Sequence, residues 1–297
     1  MKDELPGLAS YIETAITNHY RSLNGDSALN TSYKDYVNTI EDNLLSGVVL
    51  DDFREDLSQG AGDELSPRGN DPPKFCTTFS SAALCANCFA PFRRHSERLE
   101  LLGQHGFTKA RFEQRLPTGF PGTPPHLDFY AENDTTIIAI ESKFTEYLTP
   151  KAADFKPAYA ARFAESAEPA WQAVYALLKA APDTYRYLKA AQLCKHYVGL
   201  RHTLKGRDLA LFLLYLYWEP VNAQDLPPFR AHREEVQDFA GRVAGARLQF
   251  RAMSYADLWN HWEASPHWPG MKKHLHSLRD RYEIAIELSG KRGAGPL

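Results

Sequence analysis

An acid and a base stand two residues apart near the middle of the chain. They are Glu141 and Lys143, at the end of the stretch TTIIAIESKFTE. The first half of this stretch is rich in β-branched and apolar residues, which indicates a β-strand. Because residues i and i+2 of a strand point to the same face, Glu141 and Lys143 share one face with Ala139. A strand that only fills a core has little reason to place these two charges side by side.

A second carboxylate comes from the segment before this strand. The stretch HLDFYA, residues 126–131, is also strand-like, and the residues after it have the composition of a turn. A two-residue hairpin loop would pair Glu132 with Thr135 and place Asp128 opposite Ala139, on the acidic face. The same register joins the apolar residues of the other face in two pairs: Leu127 with Ile140, and Phe129 with Ile138. A slip of one residue would spoil both patterns, so we expect this register.

The three side chains suit chemistry on a phosphate ester. Two carboxylates that converge from adjacent strands are ligands that a hard divalent cation prefers. A lysine beside them can hold a phosphate or orient a water molecule, or take the proton of that water if burial lowers the lysine pKa.

The spacing of these residues resembles a known motif. Asp128, twelve further residues and then Glu141-Ser142-Lys143 resemble the D-(x)n-E-x-K signature of the PD-(D/E)XK nuclease superfamily, which has the restriction-endonuclease-like fold. The strict Pro-Asp pair of that signature is absent, because two residues separate Pro125 from the aspartate. The surrounding segments SSAALCANCFAPF, FEQRLPTG, GTPPHLDF and AIESK resemble a bacterial restriction-endonuclease-like branch of the superfamily.

This resemblance covers roughly residues 74–220 and implies a metal-dependent nuclease. It implies that Asp128, Glu141 and the backbone carbonyl of Ser142 hold Mg²⁺ or Mn²⁺, with Lys143 near the attacking water. The implied substrate is DNA, in restriction, repair or defence; RNA is not excluded, and a homodimer is left open. The alternative is a nucleic-acid-binding or structural member of the same fold without catalysis. The usual mark of such a member is a lost acid or lysine, and all three residues are present here.

Four further residues are candidates for the same site. Glu113, on an alternating strand, is either a third carboxylate for the cation or a partner of the arginines next to it. Asn87, on an alanine-rich helix, either contacts the site or lies on the helix surface. Gln192 and Lys195 share a helix face with His196 by their i, i+3 and i+4 spacing. They resemble superfamily positions that orient water or phosphate, or they belong to a polar surface stripe.

The charge distribution is uneven, although the net charge is only −3. Residues 1–71 contain 14 acids and 5 bases, so the rest of the chain carries a net positive charge. One window, residues 186–207, contains six basic residues and no acid. Such a window is typical of polyanion binding, or of a solvated helix face. Besides Lys195, its members are candidate nucleic-acid contacts: Arg186, Lys189, Arg201, Lys205 and Arg207.

The order of the segments predicts an α/β (α+β) fold. We expect a mixed central sheet of about four to five strands flanked by helices, as in the restriction-endonuclease-like core. The run 209–218 predicts a buried central strand, and an N-terminal extension is predicted to contain helices at 8–23 and 33–45. The predicted divisions are an acidic helical extension at 1–58, a linker or loop at 59–73, the nuclease-like domain at 74–288 and a flexible tail at 289–297.

The remaining features bear on the environment of the protein. No apolar run is long enough to span a membrane and no signal peptide opens the chain, so we expect a soluble cytoplasmic protein without a membrane partner. Of the four cysteines, Cys85 and Cys88 form a CxxC motif. Because no second such pair follows and the motif lies in a helical segment, buried free thiols are a better interpretation than a metal site.

Overall fold

A five-stranded mixed sheet forms the centre of the computed structural model, which describes residues 7–58, 64–120, 123–265 and 271–287. The strands lie side by side in chain order: β1 (Lys109–Arg115), β2 (His126–Glu132), β3 (Thr136–Lys143), β4 (Ala210–Tyr217) and β5 (Leu248–Ser254). Strand β2 is antiparallel to both of its neighbours, β1 and β3, whereas β4 is parallel to β3 and β5 is parallel to β4. The predicted α+β class and the predicted strand number are both confirmed.

Helices cover both faces of the sheet. They are α1 (Leu8–Asn24), α2 (Arg54–Ser58), α3 (Ser81–Phe89), α4 (Pro91–Arg94), α5 (Ala158–Ser166), α6 (Pro169–Ala180), α7 (Ala190–Thr203), α8 (Pro227–Arg242), α9 (Tyr255–Ala264) and α10 (Lys272–Tyr282). Every residue of β3 is buried, because alternate side chains enter two different hydrophobic clusters. Ile138 and Ile140 face the cluster of α1, α3, α9 and α10, and Ile137 and Ala139 face the cluster of α5, α6 and α7. A strand buried on both faces reads as a continuous apolar run.

The hairpin between β2 and β3 differs from the predicted one by two residues. Glu132 pairs with Ile137 instead of Thr135. The reason is Asn133, whose side-chain oxygen accepts the backbone N–H groups of Thr135 and Thr136 at 3.0 and 2.8 Å and so builds a longer loop. Local bonds of this kind from asparagine favour a turn over a ladder. Because the shift is an even number, the two faces of β3 are as predicted.

The predicted helix at 33–45 is wrong. This segment forms short turns and a 3-10 turn at Glu41–Asn43, and Val37 donates its N–H to the carbonyl of Cys76 at 2.8 Å. The side chain of Asn43 is buried and donates to the carbonyls of Phe75 and Thr77 at 2.7 and 2.8 Å. Tertiary hydrogen bonds of this segment therefore replace those of a helix, although its apolar spacing is helical.

The acidic N-terminal residues pack directly against the sheet. Ile12, Ile16 and Leu57 belong to the same buried cluster as Ile138. The carboxylate of Asp56 accepts the N–H of Phe112 on the edge strand β1 at 3.1 Å and also pairs with the Arg93 guanidinium. Of the predicted divisions, the loop at 59–73 is described only from residue 64, and the tail at 289–297 lies outside the described residues. The boundaries themselves stay a prediction.

Two expectations about the environment of the chain have counterparts in the structure. Cys76, Cys85, Cys88 and Cys194 are all buried free thiols, as predicted. Burial raises the pKa of each thiol above its ordinary value, so none of them is a reactive thiolate at neutral pH. No helix of the described segments is both long enough and apolar enough to cross a membrane.

A buried histidine on α8, which contacts β4, predicts how stability depends on pH. The His232 ring stacks on Tyr147 with ring centroids 4.1 Å apart, and its Nε2 lies 3.0 Å from the Tyr215 hydroxyl. Burial, with smaller contributions from Arg233 and Lys189, lowers the pKa of His232 to about 3. The unfolded chain takes up a proton near pH 6.5, so this group stabilises the fold fully above that pH and progressively less as the pH falls towards 3.

We therefore expect His232→Phe to flatten the pH dependence of unfolding. Between pH 6.5 and pH 5 the unmodified protein should lose about 2 kcal/mol from this one group, at roughly 1.4 kcal/mol per pH unit. The variant should lose that much less over the same interval. Urea denaturation at a series of pH values measures the difference. Parallel curves for the two proteins would show that His232 does not titrate on unfolding.

Candidate active site

The carboxyl-terminal end of β3 holds a buried ion pair. Glu141 and Lys143 are 1% and 6% exposed, and the Lys143 ammonium donates to Oε1 of Glu141. The other carboxylate oxygen, Oε2, lies 2.6 Å from Nε2 of His196 on α7. Because a carboxylate only accepts hydrogen bonds, His196 must donate from Nε2. Both oxygens of Glu141 are therefore bound by nitrogen donors.

The two partners of the pair hold each other ionised. Burial on its own would raise the pKa of Glu141, but the charge of Lys143 and the contact with His196 lower it to about 2. Burial would likewise lower the pKa of Lys143, but Glu141 and then Glu146 and Asp128 raise it above its ordinary value. The centre of the site is thus an ammonium surrounded by carboxyl groups at neutral pH.

Asp128 lies where the side-chain alternation of strand β2 is interrupted. The last ladder pair between β2 and β3 is Phe129 with Ile140, and one step further Oδ2 of Asp128 accepts the backbone N–H of Ser142 at 2.6 Å. The predicted position of Asp128 opposite Ala139 is therefore wrong. Two pairings on the reverse face are wrong as well: Leu127 with Ile140, and Phe129 with Ile138. Leu127 packs in the cluster of α7 and Phe129 in the cluster of α3, so the alternation of the strand is interrupted at the aspartate.

The Asp128 carboxyl is electrostatically coupled to the ion pair. Burial raises its pKa well above the ordinary value, the negative charge of Glu141 raises it further, and Lys143 opposes this change. Two carboxyl groups that disturb each other in this way occupy one low-dielectric space. A shared cation would remove the repulsion between them.

Glu113 lies level with Asp128 on the neighbouring strand β1. It stands between the pairs Phe112–Phe129 and Gln114–Leu127, and its φ of 47° places it in the left-handed region. Its carboxylate lies 3.3 Å from Nδ1 of His126, and its charge contributes to raising the pKa of Asp128. Glu113 thus pairs with a histidine and not with an adjacent arginine. Its predicted role as a third carboxylate for the cation stays a prediction.

Gly199 lets α7 approach closely enough to deliver His196. A Cβ atom at Gly199 would lie 2.6 Å from Cβ of Leu116 and 2.9 Å from its carbonyl oxygen. Backbone contact of this kind excludes a larger residue without movement of the helix. One turn before this contact, the same helix places His196 against Glu141.

An open cavity of about 460 Å³ begins at Lys143. Gln192 and Lys195 line it together with Lys189, so the structure brings these predicted residues to the side of the ion pair that faces solvent. Glu146 also lines the cavity, 3.7 Å from the Lys143 ammonium. Because Lys143 is the last residue of β3, a ligand in this cavity would contact the end of that strand.

Comparison with known proteins agrees with this architecture. Residues 11–283 match the model of a protein family described as restriction endonuclease associating with ARP. The chain belongs to this family. Family membership confirms the resemblance to restriction-endonuclease-like proteins and extends it from residues 74–220 to almost the whole described chain. No curated protein and no solved structure matches the chain.

Two carboxyl groups of this restriction-endonuclease family member, Asp128 and Glu141, are of the ligand type that a hard divalent cation prefers. The negative charge of Glu141 contributes to raising the pKa of Asp128. No group of three or more His, Cys, Asp or Glu side chains in the described ranges is arranged to hold a metal. Oxygens of the backbone, of water or of a substrate phosphate would therefore complete the coordination, as is usual for Mg²⁺. The predicted role of the Ser142 carbonyl stays a prediction.

Asn87 has a different role from the two that were predicted. It is fully buried, accepts the N–H of Leu45 at 2.8 Å, and donates to the Asn43 carbonyl and the Tyr282 hydroxyl at 2.9 and 2.8 Å. Asn87 therefore neither contacts the Glu141 site nor lies on a helix surface. It joins α3 to the N-terminal segment and to α10, because a buried amide must find partners for all its polar atoms.

The basic window at 186–207 divides between two places. Lys189 lines the cavity beside Lys143, and Arg186 lines a smaller pocket that shares Lys151 and Tyr185 with it. Arg201 pairs with Glu168 at 3.8 Å, and Arg207 pairs with Glu132 at the far end of the sheet. Lys205 is exposed near Arg207. The window therefore does not present one continuous basic face, and its first half is the part close to the site.

Two contacts near the end of β3 have no signal in the sequence. His196 was placed on the correct helix face by its spacing from Gln192, but nothing in the sequence aimed it at Glu141. Glu13, on the N-terminal helix α1, accepts a hydrogen bond from Thr145 at 3.2 Å. Contacts between positions so far apart in the chain have no local sequence signal.

The buried pair predicts a non-additive effect on stability. Glu141→Gln leaves the Lys143 ammonium buried without its closest carboxylate, with Glu146 and Asp128 as the remaining acidic neighbours. Removal of one partner of a buried pair costs about 3–5 kcal/mol. Glu141→Gln combined with Lys143→Met should cost less than the sum of the single changes, with a coupling of about 1–3 kcal/mol. Urea denaturation measures all four proteins of this cycle. The exposed pair Arg242–Asp238 is a matched control and should show far weaker coupling. Additive losses at Glu141 and Lys143 would contradict the burial described here.

Proposed function

We propose that this protein hydrolyses phosphodiester bonds of DNA and requires Mg²⁺ or Mn²⁺. The observation that carries the proposal is the coupled group of Asp128, Glu141 and Lys143, buried at the end of β3 next to an open cavity. Membership of a restriction endonuclease family supports DNA as the substrate class. RNA belongs in the same tests, because the site chemistry acts on the phosphate and not on the sugar.

The charge balance of the site supports a divalent cation. Asp128, Glu141 and Glu146 all raise the pKa of Lys143, the ammonium that they surround. Asp128, Glu141 and the Ser142 carbonyl would hold the cation. When bound, the metal would lower the pKa of a coordinated water and neutralise charge on the phosphate.

Lys143 acts as a cation and not as a base in this proposal. Its pKa is raised by Glu141 and the neighbouring carboxyl groups, which favours the protonated ammonium and opposes uptake of a proton from water. It can donate hydrogen bonds to an anionic oxygen of the phosphate, or orient the attacking water towards it. Of the three roles open to this lysine from sequence, general base is the one that the electrostatics disfavour.

His196 and Ser142 hold the two acids in place. His196 donates to Oε2 of Glu141, which fixes the rotation of that carboxylate. The Ser142 N–H fixes Asp128, while the Ser142 hydroxyl bonds with that of Tyr255 at 2.8 Å. Residues that act through others in this way reduce the freedom of the reacting groups before substrate arrives.

A second candidate function is DNA binding without hydrolysis. One observation favours it: both oxygens of Glu141 are already engaged, by Lys143 and His196, as in a structural ion pair. For hydrolysis, Lys143 must exchange Glu141 for another partner, and Glu146 at 3.7 Å is the nearest alternative carboxylate. The two candidates differ in whether the bound DNA is cut when a divalent metal is present.

We expect the purified protein to cut DNA with Mg²⁺ or Mn²⁺ and to stop when EDTA removes the metal. Glu141→Gln and Lys143→Gln should each lower the cutting rate at least 100-fold, because the first removes a carboxylate that would hold the cation and the second removes the positive charge beside the phosphate. Asp128→Asn should raise the metal concentration needed for half-maximal rate, since an amide is a poorer ligand than a carboxylate for a hard cation. Gel assays on duplex, single-stranded, branched and modified DNA, and on RNA, measure these rates.

Lys272→Gln is the control for these variants, because Lys272 is exposed on α10, away from the cavity. Its cutting rate should equal that of the unmodified protein. If no substrate is cut with either metal, and the Glu141 and Lys143 variants bind DNA like the unmodified protein, the nuclease proposal fails. DNA binding without hydrolysis would then be the better description.

The role of His196 as a positioning residue makes a separate prediction. His196→Leu removes the donor to Glu141, whereas His196→Gln supplies an amide donor of comparable reach. We expect the leucine variant to need about 10–100-fold more metal for half-maximal cutting, by analogy with other residues that orient metal ligands. The glutamine variant should recover part of this loss at unchanged KM for DNA. Equal metal requirements in the two variants would assign His196 to packing only.

A further inference from the structure

Basic residues form a large part of the lining of the cavity that begins at Lys143. Four lysines line it, at positions 143, 151, 189 and 195, against two carboxylates, Glu146 and Asp154. Lys189 and Lys195 are each partly buried, so both hold charge close to a low-dielectric wall. An arrangement of like charges around an open space is unfavourable unless an anion enters it.

The lysines disturb one another across the cavity. Burial and then the charge of Lys143 lower the pKa of Lys189 to about 8. Burial also lowers the pKa of Lys195; Asp154 opposes this change, and Lys151 and Lys156 add to it. Helix α7 also starts here, and its positive end adds to the attraction for an anion.

A second group of lining residues, called the apolar wall below, is apolar. Leu178, Leu188, Pro150 and Pro182 form it together with the buried ring of Tyr185. The volume of about 460 Å³ far exceeds what a phosphate alone would fill and lies in the range of sites for small organic ligands. An anion attached to a flat, largely apolar group matches both groups of lining residues.

We propose that this cavity binds one nucleotide, with its phosphate among the lysines and its base against the apolar wall. The proposal rests on the proposed function, because Lys143 belongs both to the cavity and to the ion pair with Glu141. Two sources supply such a ligand. One is a nucleotide of the substrate strand next to the cleaved bond, turned out of its base pair. The other is a free 5′-mononucleotide that controls access to Lys143.

A nucleotide from the substrate strand has a further consequence. Turning a base out of a duplex requires unstacking and unpairing, which is easiest at mismatched, damaged or single-stranded positions. Substrates with an unpaired nucleotide at the cutting position should therefore bind more tightly than a fully paired duplex. A free mononucleotide as the only occupant predicts no such preference.

Binding of 5′-dAMP, 5′-dTMP and inorganic phosphate to the full chain, measured by calorimetry in EDTA, tests the site without any need for catalysis. We expect the mononucleotides to bind at least tenfold more tightly than phosphate, because the base fills the apolar wall. Lys189→Gln and Lys195→Gln should each weaken mononucleotide binding about tenfold, and Lys272→Gln should leave it unchanged. Equal affinities for phosphate and mononucleotide, or unchanged affinities in both cavity variants, would overturn the nucleotide site.

Competition identifies the source of the nucleotide. Displacement of a labelled oligonucleotide by 5′-dAMP in EDTA, together with a preference for mismatched over paired DNA, assigns the cavity to the substrate strand. Mononucleotide binding that leaves oligonucleotide affinity unchanged assigns it to a free nucleotide. Cutting that proceeds with Mg²⁺ while no nucleotide binds the cavity would overturn this inference and leave the nuclease proposal intact. Nucleotide binding without cutting of any substrate would support this inference and overturn the nuclease proposal.

Discussion

The interaction on which the site depends is the buried contact of Glu141 with Lys143 and His196. A charge in the interior is tolerated only when its partners are close and correctly oriented. That condition fixes the end of β3, the position of α7 and the close passage of Gly199 over Leu116. Displacement of α7 would leave a carboxylate in the core with one donor missing. The packing of α7 against the sheet and the ionised state of Glu141 therefore depend on each other.

The N-terminal residues belong to this arrangement physically. Arg281 is almost fully buried, lies over the ring of Tyr20, and donates to Asn43 and to the Thr78 carbonyl. Asn87 links the same segment to α10. This polar network ties the first and last described helices together behind the sheet, and the family match from residue 11 to 283 spans both. The N-terminal extension, although acidic, thus also contributes residues to the core.

The sequence predicted what depends on short-range pattern. The E-x-K strand, the α7 helix face and the mixed sheet follow from spacing of 2 or 3.6 residues, which local geometry enforces. It did not predict what depends on one hydrogen bond or on distant partners. Asn133 moved the hairpin by two residues, Asn87 was drawn into the core by segments far along the chain, and the break at Asp128 reversed the side of Leu127. The residue types at these positions give no signal for these differences, because the same types also occur in regular hairpins, on helix surfaces and in regular strands.

The left-handed backbone of Glu113 has a consequence for the balance between stability and activity. A non-glycine residue in this region is strained by about 1 kcal/mol or more, and glycine would remove the strain. Glu113 also adds negative charge beside Asp128, which is unfavourable for the empty site. Selection of variants for heat resistance alone would therefore favour glycine at this position and discard the carboxylate next to Asp128. Such a gain in melting temperature would remove a charged group beside the residues of the proposed hydrolysis, the trade that arises where activity relies on locally destabilised groups.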